Sequence, residues 1–439
     1  MSVLFLFATA CGEEQTSASL KSPSSSDFSS SFPSSSDDSS SGGSQTPPAS
    51  SSSSTVSLHD IPIVSGDTSS GGNVTSPQPD PVPRPTPYIP TFYYSALDEV
   101  QQGYYEKLYI AAESMQSGWI VLGDARDSFK TDIVIVRSAL VADHPEFFWI
   151  PSFYVGTTTD ETVKKAVVYF SASSEGSPSY LVSRAEKQTM SAKLREEINK
   201  IKALVTATDP FEIEYQLHDI LVNSVSYSAD PADPMVYTAY GAIVNGKALC
   251  EGYSKAMKLL LDEFKISSIT VTGTAADENH MWNMVCLGTD WYHLDATWND
   301  LETSTPSHEY INLTDGQIAS DHTLAPTADL VDKVLLEKGL ALFNLALPPA
   351  TATTYNYFVR TGLFCTTDSA DSIANTLINT NADMLEFAFA DETSADSINS
   401  SSDSFVGKVA LALSAKNATF TIGGYSVTPR VLRIYKSFN

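Results

Sequence analysis

Three short segments between residues 245 and 298 are the most informative about the fold of this chain. Residues 245–254 read NGKALCEGYS, residues 279–283 read NHMWN and residues 291–298 read WYHLDATW. They contain, in chain order, the thiol of Cys250, the imidazole of His280 and the carboxylate of Asp295. Such a set can form a thiolate, carry a proton and hold the imidazole in one tautomer. The three segments therefore predict a site for nucleophilic acyl transfer.

Cys250 is predicted to lie in the first turn of a helix. Apolar residues recur at helical spacing from Tyr253 to Phe264, and Gly246 suits a turn that leads the chain into this helix. The unpaired backbone N–H groups at a helix N-terminus favour an anion and lower the pKa of a thiol. The same groups can stabilise a developing oxyanion, and Tyr240 is a candidate to support them. The alternative for Tyr240 is core packing.

The histidine and the aspartate fall on a predicted β-hairpin. Residues 280–287 and 290–298 are rich in aromatic and β-branched types, and residues 288–289, Gly-Thr, fit a tight turn. If those two residues form the loop, Asp295 faces Trp282 and is a diagonal neighbour of His280, roughly 7–8 Å away at the backbone. A shift of one residue would place them on opposite faces. His293 shares the face of Asp295 and is the alternative base.

Residues of about 236–300 resemble the transglutaminase-like superfamily of thiol acyl-transfer enzymes. The matching runs are YGA at 240–242, NGK at 245–247, CEGY at 250–253, VTG at 271–273, HMWN at 280–283 and DATWND at 295–300. A weaker resemblance to secreted bacterial members covers residues 95–325 and includes HPEFFW at 144–149, HDIL at 218–221, YINL at 310–313 and DH at 321–322.

The resemblance implies a nucleophile at Cys250, a base at His280 and an orienting acid at Asp295. It also implies an α+β fold with a papain/transglutaminase-like core, in which the helix carrying the cysteine packs on an antiparallel sheet. The expected activity is that of a transglutaminase-like cysteine peptidase or acyltransferase acting on amide bonds. Hydrolysis of peptide or protein amides is the favoured outcome. The alternatives are cross-linking with an amine acceptor, and a surface binding or adhesion protein that kept the fold without turnover.

The acidic composition limits the partners. The chain has 52 Asp and Glu against 26 Lys and Arg, a net charge of −26. Nucleic acid is not expected as a partner, because phosphate binding needs a basic face. The expected partner is a peptide or protein substrate, and one candidate is a substrate associated with the cell wall. The sequence offers no cluster with metal-ligand spacing, so neither a metal nor a cofactor is expected.

The N-terminus resembles a bacterial lipoprotein signal. Residues 8–12 read ATACG after a short apolar stretch, which makes Cys11 the candidate for lipidation. The stretch is too short to span a bilayer as a helix. The expected location is the outer face of a bacterial membrane through a lipid anchor, with plain secretion as the alternative. No Lys or Arg precedes the stretch, which leaves open a start upstream of Met1.

Five segments follow from these patterns. We expect a signal at residues 1–11 and a disordered Ser/Pro-rich linker at 12–90, which cannot bury enough apolar surface to fold. We then expect an N-terminal α/β accessory domain at 91–205, the catalytic domain at 206–325 and a C-terminal α/β accessory domain at 326–439. Within the last, the patterns predict a helix at 328–343 and strands at 355–360, 384–389, 408–414 and 431–435. Cys286 and Cys365 are predicted to be buried thiols, with a disulfide between them as the alternative.

Overall fold

The helix Cys250–Glu263 lies at the centre of the fold, and each of its residues from Cys250 to Leu261 is buried. The computed structural model describes residues 4–5, 91–150, 154–160, 162–170, 180–228, 230, 233–303, 305–338 and 341–438. Gly252 allows the helix to approach its neighbour closely, because a Cβ at this position would lie 2.5 Å from the carbonyl oxygen of Val236. The helix carrying Cys250 is therefore part of the core.

This helix packs on an antiparallel sheet of five strands. The two central strands are buried almost continuously, as expected for strands covered on both faces. This arrangement confirms the α+β class and the predicted core, a cysteine-bearing helix on an antiparallel sheet. In sheet order the strands are Ile311–Leu313, Asp290–Leu294, Glu278–Leu287, Ser268–Ala275 and His322–Leu324.

The hairpin has the register that the two-residue turn predicts. Leu287 pairs with Asp290, and Asn283 pairs with Leu294. Gly288 has φ of +67°, which suits a glycine at the first position of such a turn. The second strand ends at Leu294, however, so Asp295 begins the following loop instead of continuing the ladder opposite Trp282.

The N-terminal part of the described chain contains a second antiparallel sheet and several helices. The strands in sheet order are Leu4–Phe5, Tyr154–Asp160, Val163–Phe170 and Gly118–Asp124. The helices are Phe92–Ser95, Glu99–Glu113, Phe129–Asp143 and Arg184–Leu204, and two of them begin with a capping box. A capping box satisfies backbone donors that the first turn of a helix leaves unpaired.

Short elements connect this part to the cysteine helix. The chain continues through the helix Pro210–Ser224, the 3₁₀ turn Pro234–Tyr237 and the π-helical turn Gly241–Asn245. A parallel pair of two-residue strands, Ser226–Tyr227 and Lys247–Ala248, then holds the segment that precedes Cys250.

The C-terminal part contains a third sheet packed against helices. Its strands in sheet order are Phe364–Cys365, Met384–Phe389, Val431–Phe438 and Phe420–Val427, and the first pair is parallel. The helices after the strand Ile311–Leu313 are Asp315–Ile318, Lys333–Glu337, Tyr357–Thr361, Ala370–Ile378, Glu392–Ser400 and Ser402–Ala415. The strands predicted at 384–389 and 431–435 are present.

Three of the C-terminal predictions are wrong. The strand predicted at 408–414 lies in the helix Ser402–Ala415, whose buried residues recur at helical spacing and pack under the sheet. The strand predicted at 355–360 gives way to the helix Tyr357–Thr361, because Asn356 accepts a hydrogen bond from the N–H of Phe358 and caps it. The long helix predicted at 328–343 is reduced to the five residues Lys333–Glu337.

The described residues from Thr91 to Phe438 belong to one compact unit. The domain boundaries at residues 205 and 325 stay a prediction. The linker predicted at 12–90 and the lipidation candidate Cys11 lie outside the described residues. Within the part of the chain that the structure describes, no helix is both long enough and apolar enough to cross a membrane.

Gly273 allows the edge strand His322–Leu324 to pack closely, and this contact generates a prediction. A Cβ at Gly273 would lie 2.0 Å from the carbonyl oxygen of Thr323 and 2.9 Å from the Trp282 ring. Gly273→Ala should therefore lower the free energy of unfolding by about 1–3 kcal/mol, as overpacking typically does. Urea unfolding followed by circular dichroism measures this change.

Gly407→Ala is the matched control. Gly407 lies on the exposed side of the helix Ser402–Ala415, and a Cβ there would meet nothing within 4 Å. Because alanine favours helix, this change should raise the free energy of unfolding by about 0.5–1 kcal/mol. Equal effects of the two substitutions would contradict the proposed role of Gly273.

Candidate active site

Cys250 is the first residue of its helix and is 2% exposed. The residue before it, Leu249, caps the helix without a side-chain hydrogen bond. The N–H groups of the first turn therefore have no acceptor from the capping side chain, and they add positive electrostatic potential beside the thiol. This is the position that the sequence predicts for the cysteine.

His280 contacts both the thiol and the carboxylate. It lies on the strand Glu278–Leu287, and its Nε2 is 2.6 Å from Oδ2 of Asp295. The Cys250 thiol is also within hydrogen-bonding contact of the His280 ring. Because Nε2 faces Asp295, Nδ1 is the nitrogen left for the thiol. The structure thus brings the three predicted residues together in the order thiol, imidazole, carboxylate.

Asp295 is a buried carboxylate that accepts several hydrogen bonds. Its Oδ1 accepts from the backbone N–H groups of Thr297 at 2.9 Å and Trp298 at 3.2 Å. Its Oδ2 accepts from His280 at 2.6 Å and from His322 at 3.0 Å. Burial alone would raise its pKa, but the charges and hydrogen bonds of the two histidines hold the pKa well below its usual range.

The same contacts shift the pKa of His280 in the opposite direction. Burial alone would lower it, but the charge and hydrogen bond of Asp295 and the contact with Cys250 raise it above its usual range. The contacts therefore favour the protonated form of His280. An imidazolium in this position can stabilise a thiolate on one side and donate a proton to a leaving group.

Aromatic rings surround the imidazole. The ring of Trp282 stacks on His280 with centroids 5.9 Å apart, and Trp298 meets it edge-on at 6.2 Å. Trp282 is fully buried. These rings separate the His280–Asp295 pair from water, and such exclusion strengthens electrostatic interactions within the site.

His293, the alternative base, lies elsewhere. Its Nδ1 accepts a hydrogen bond from Trp282 at 3.0 Å, and its Nε2 is 2.9 Å from Asp315. Both ring nitrogens are therefore engaged away from Cys250. Burial lowers the pKa of His293, against the opposing effect of Asp315. A neutral His293 that holds Trp282 in place is a structural residue.

Tyr240 precedes the π-helical turn Gly241–Asn245 and is 6% exposed. Its ring packs against Phe148 with centroids 4.9 Å apart. This contact corresponds to the core-packing alternative, and a part for Tyr240 at the oxyanion stays a prediction.

His322 is the site residue to which the sequence analysis gave no role. It lies on the edge strand His322–Leu324, with Nε2 3.0 Å from Asp295 and Nδ1 2.6 Å from Oδ1 of Asp321. The adjacent pair Asp321 and His322 was visible in the sequence. Nothing in the local pattern indicates that this strand joins the far edge of the sheet, where His322 reaches Asp295.

Two groups of side chains bring possible metal-binding atoms within 4.8 Å of one another: His280, Asp295 and His322, and His218, Asp219 and His308. In both groups the histidines make hydrogen bonds to the aspartate, at 2.6–3.0 Å. These hydrogen bonds account for both arrangements, and we assign neither as a metal site.

The other described cysteines are thiols, so the disulfide alternative is wrong. Cys365 lies in the buried cluster of the C-terminal sheet, and burial raises its pKa to about 12. Burial, with a smaller effect of Asp290, also raises the pKa of the half-buried Cys286. Neither environment favours a thiolate.

Three solved structures are similar to parts of this chain. They are a TGase (12% identity, TM-score 0.24), a protein from Cytophaga hutchinsonii called a "putative cysteine protease" (11%, 0.22) and one from Parabacteroides distasonis called a "putative protease" (11%, 0.19). The matches cover 34%, 33% and 36% of this chain, and 45%, 62% and 36% of those chains. The chain thus spans less than two thirds of each. No curated protein sequence matches it significantly.

The family comparison matches residues 199–296 to the core domain of the transglutaminase-like superfamily. This range includes Cys250, His280 and Asp295, together with the cysteine helix and the central hairpin. Residues 199–296 of this chain are a domain of the transglutaminase-like superfamily.

Proposed function

We propose that this chain is a thiol acyl-transfer enzyme that hydrolyses amide bonds of peptides or proteins, with Cys250 as nucleophile, His280 as acid and base, and Asp295 as the orienting acid. The observation that carries the proposal is the hydrogen-bonded sequence of thiol, imidazole and carboxylate at a helix N-terminus. A set with these roles is recognised by geometry across unrelated folds.

The first half-reaction forms a thioester. The Cys250 thiolate attacks the amide carbonyl carbon, a C–S bond forms, and the carbonyl electron pair moves to oxygen. Backbone N–H groups at the start of the helix stabilise this oxyanion. As the C–N bond breaks, the His280 imidazolium donates its proton to the leaving nitrogen, which departs as an amine. Asp295 keeps the imidazole in the required orientation and tautomer.

The second half-reaction releases the acyl group. A water molecule attacks the thioester carbonyl, His280 accepts a proton from the water, and the Cys250 thiolate leaves. The product is a carboxylic acid, which loses its remaining proton to the solvent, and the site returns to its thiolate and imidazolium form. An amine in place of water would give a cross-linked amide instead, which is the outcome expected of a transglutaminase. Assays of hydrolysis and of amine incorporation therefore distinguish water from an amine as the acceptor.

We also propose that the enzyme acts outside the cell, held to a bacterial membrane by a lipid on Cys11. The support is the run ATACG at residues 8–12, followed by a Ser/Pro-rich segment to about residue 90. Such a segment has the composition of an extended linker. It would give the catalytic part reach from the membrane toward peptide substrates, including those of the cell wall.

The first prediction from the proposed function concerns thiol reactivity. In the purified full chain, Cys250 should be alkylated by iodoacetamide at pH 5–6, because the His280 imidazolium and the helix N-terminus favour the thiolate. Cys286 and Cys365, whose pKa values are raised, should react only at higher pH. Peptide mass spectrometry measures the three rates separately, and equal rates at pH 5–6 would contradict an activated nucleophile.

The second prediction concerns turnover. Cys250→Ala should abolish amide turnover without unfolding the chain, and Asp295→Asn should reduce the rate by about 10⁴, the size of effect seen when the imidazole tautomer is wrong. A quenched fluorescent peptide library measures hydrolysis, and incorporation of a fluorescent amine into casein measures cross-linking.

His293→Gln is a suitable control for both assays, because His293 is buried but bonds to Trp282 and Asp315. It should keep most of the activity. Wild-type turnover by Cys250→Ala would refute the mechanism. Alkylation of Cys250 without turnover in either assay would favour the binding-protein alternative.

The third prediction concerns anchoring. Expressed in bacteria from its native start, the protein should partition into the detergent phase, because diacylation at Cys11 would bury two acyl chains at about 0.8 kcal/mol per CH₂. Cys11→Ser should be released or left unprocessed. Recovery of wild-type protein in the aqueous medium, with a mature N-terminus other than Cys11, would leave plain secretion as the explanation.

A further inference from the structure

Asp295 is hydrogen-bonded to a second histidine, His322, which the proposed mechanism does not use. His322 is buried, with a side-chain exposure of 0%. Its Nε2 lies 3.0 Å from Oδ2 of Asp295, the oxygen that also accepts the hydrogen bond from His280. The rings of the two histidines are 5.4 Å apart at their centroids. Asp295 is therefore a shared acceptor between two imidazoles.

The contacts of His322 fix its protonation state. Its Nδ1 lies 2.6 Å from Asp321 while its Nε2 faces Asp295. A neutral imidazole has a single N–H and can donate to one carboxylate, and the other carboxylate would then face a lone pair. An imidazolium donates to both. Burial alone would lower the pKa of His322, but hydrogen bonds to both carboxylates and the charge of Asp295 raise it.

The far side of this arrangement is anchored by the C-terminal part of the chain. Arg430 Nη2 lies 2.8 Å from Oδ2 of Asp321, and the Tyr310 hydroxyl donates to the same oxygen at 2.9 Å. The guanidinium also lies over the Tyr310 ring at 4.3 Å. Charges thus alternate along Asp295, His322, Asp321 and Arg430.

The other groups around His322 leave this sign pattern intact. Tyr310 and the rings of Trp282 and Trp298 are uncharged neighbours at 4.7–5.5 Å between centroids. The described titratable and charged groups that interact with His322 or with its partner Asp321 include Asp295, Asp321, His280, His293, Tyr310 and Arg430. Of these, His280 disfavours the positively charged form of His322, and the carboxylates of Asp295 and Asp321 favour that form.

We propose that His322 is a positioning residue of the thiol site, which orients Asp295 toward His280 and supplies the positive charge that limits how strongly Asp295 retains the His280 proton. The inference rests on the proposed function and deepens it. A general acid works best when its affinity for the proton matches the working pH. A buried carboxylate without a second cation would hold the His280 proton too tightly for transfer to the leaving amine.

His322→Gln tests the charge separately from the hydrogen bond. The glutamine amide can still donate to Asp295 but carries no charge. The substitution removes a positive charge whose ring lies 5.4 Å from that of His280. This loss should raise the pH midpoint of Cys250 alkylation, and the pH at which His280 deprotonates, by roughly one unit. The measurements are alkylation of the full chain against pH, and ¹⁵N NMR of histidine-labelled protein. In the wild type, both ring nitrogens of His322 should be protonated at pH 7.

Two further variants complete the test. His308→Gln is the matched control. Asp219 Oδ1 also accepts hydrogen bonds from two histidines, His218 and His308, at 2.9 Å each, and this cluster shares no hydrogen bond with Asp295. This substitution should leave the midpoint unchanged. Asp321→Asn removes the carboxylate that keeps His322 charged. It should move the midpoint upward like His322→Gln, whereas simple loss of a negative charge would move it downward.

The outcomes separate the two proposals. If thermal unfolding shows that His322→Gln does not fold, Asp321→Asn decides. Midpoints within error of the wild type for the folded variants, or a His322 with one protonated nitrogen at pH 7, would overturn the inference and leave the proposed function standing. Wild-type Cys250 that reacts only at the pH of an ordinary thiol would overturn the proposed function, and the inference with it.

Discussion

The ionised carboxylate of Asp295 is the constraint around which the site is arranged. It is 1% exposed, and a charge buried to this extent costs several kcal/mol unless hydrogen bonds and an opposite charge compensate it. Compensation comes from two backbone N–H groups and from His280 and His322. The loop after the hairpin, the hairpin itself and the edge strand must therefore converge on one carboxylate, and their convergence also holds the imidazole next to Cys250.

Close backbone packing makes this convergence possible. Gly252 lets the cysteine helix approach the 3₁₀ turn Pro234–Tyr237, and Gly273 lets both the edge strand and the ring of Trp282 pack against the strand Ser268–Ala275. Larger side chains at either position would separate elements that carry the candidate site residues. Such close packing would suit the proposed acyl-transfer reaction, because small displacements of a nucleophile or base reduce the rate steeply.

Buried charges also join the C-terminal part of the chain to the loop before the strand Ile311–Leu313. Arg433 donates to Glu386 at 2.6 Å and also bonds to Glu309, while the backbone N–H of His308 donates to Glu386 at 2.6 Å. Arg430 bonds to Asp321 nearby. Removing one partner of such a pair leaves an uncompensated buried charge and typically costs about 3–5 kcal/mol. The C-terminal part is thus coupled to the surroundings of the thiol site.

The core and the candidate residues Cys250, His280 and Asp295 could be predicted from the sequence alone, since these predictions depend on local patterns. Helical spacing after Cys250 and a two-residue turn at Gly288 specify the cysteine helix and the hairpin register. The tertiary structure alone decided the position of His322, because joining a distant strand to the sheet edge depends on long-range packing. It also decided the form of residues 408–414, whose apolar residues suit a strand but recur at helical spacing within Ser402–Ala415, where the buried face packs under a sheet.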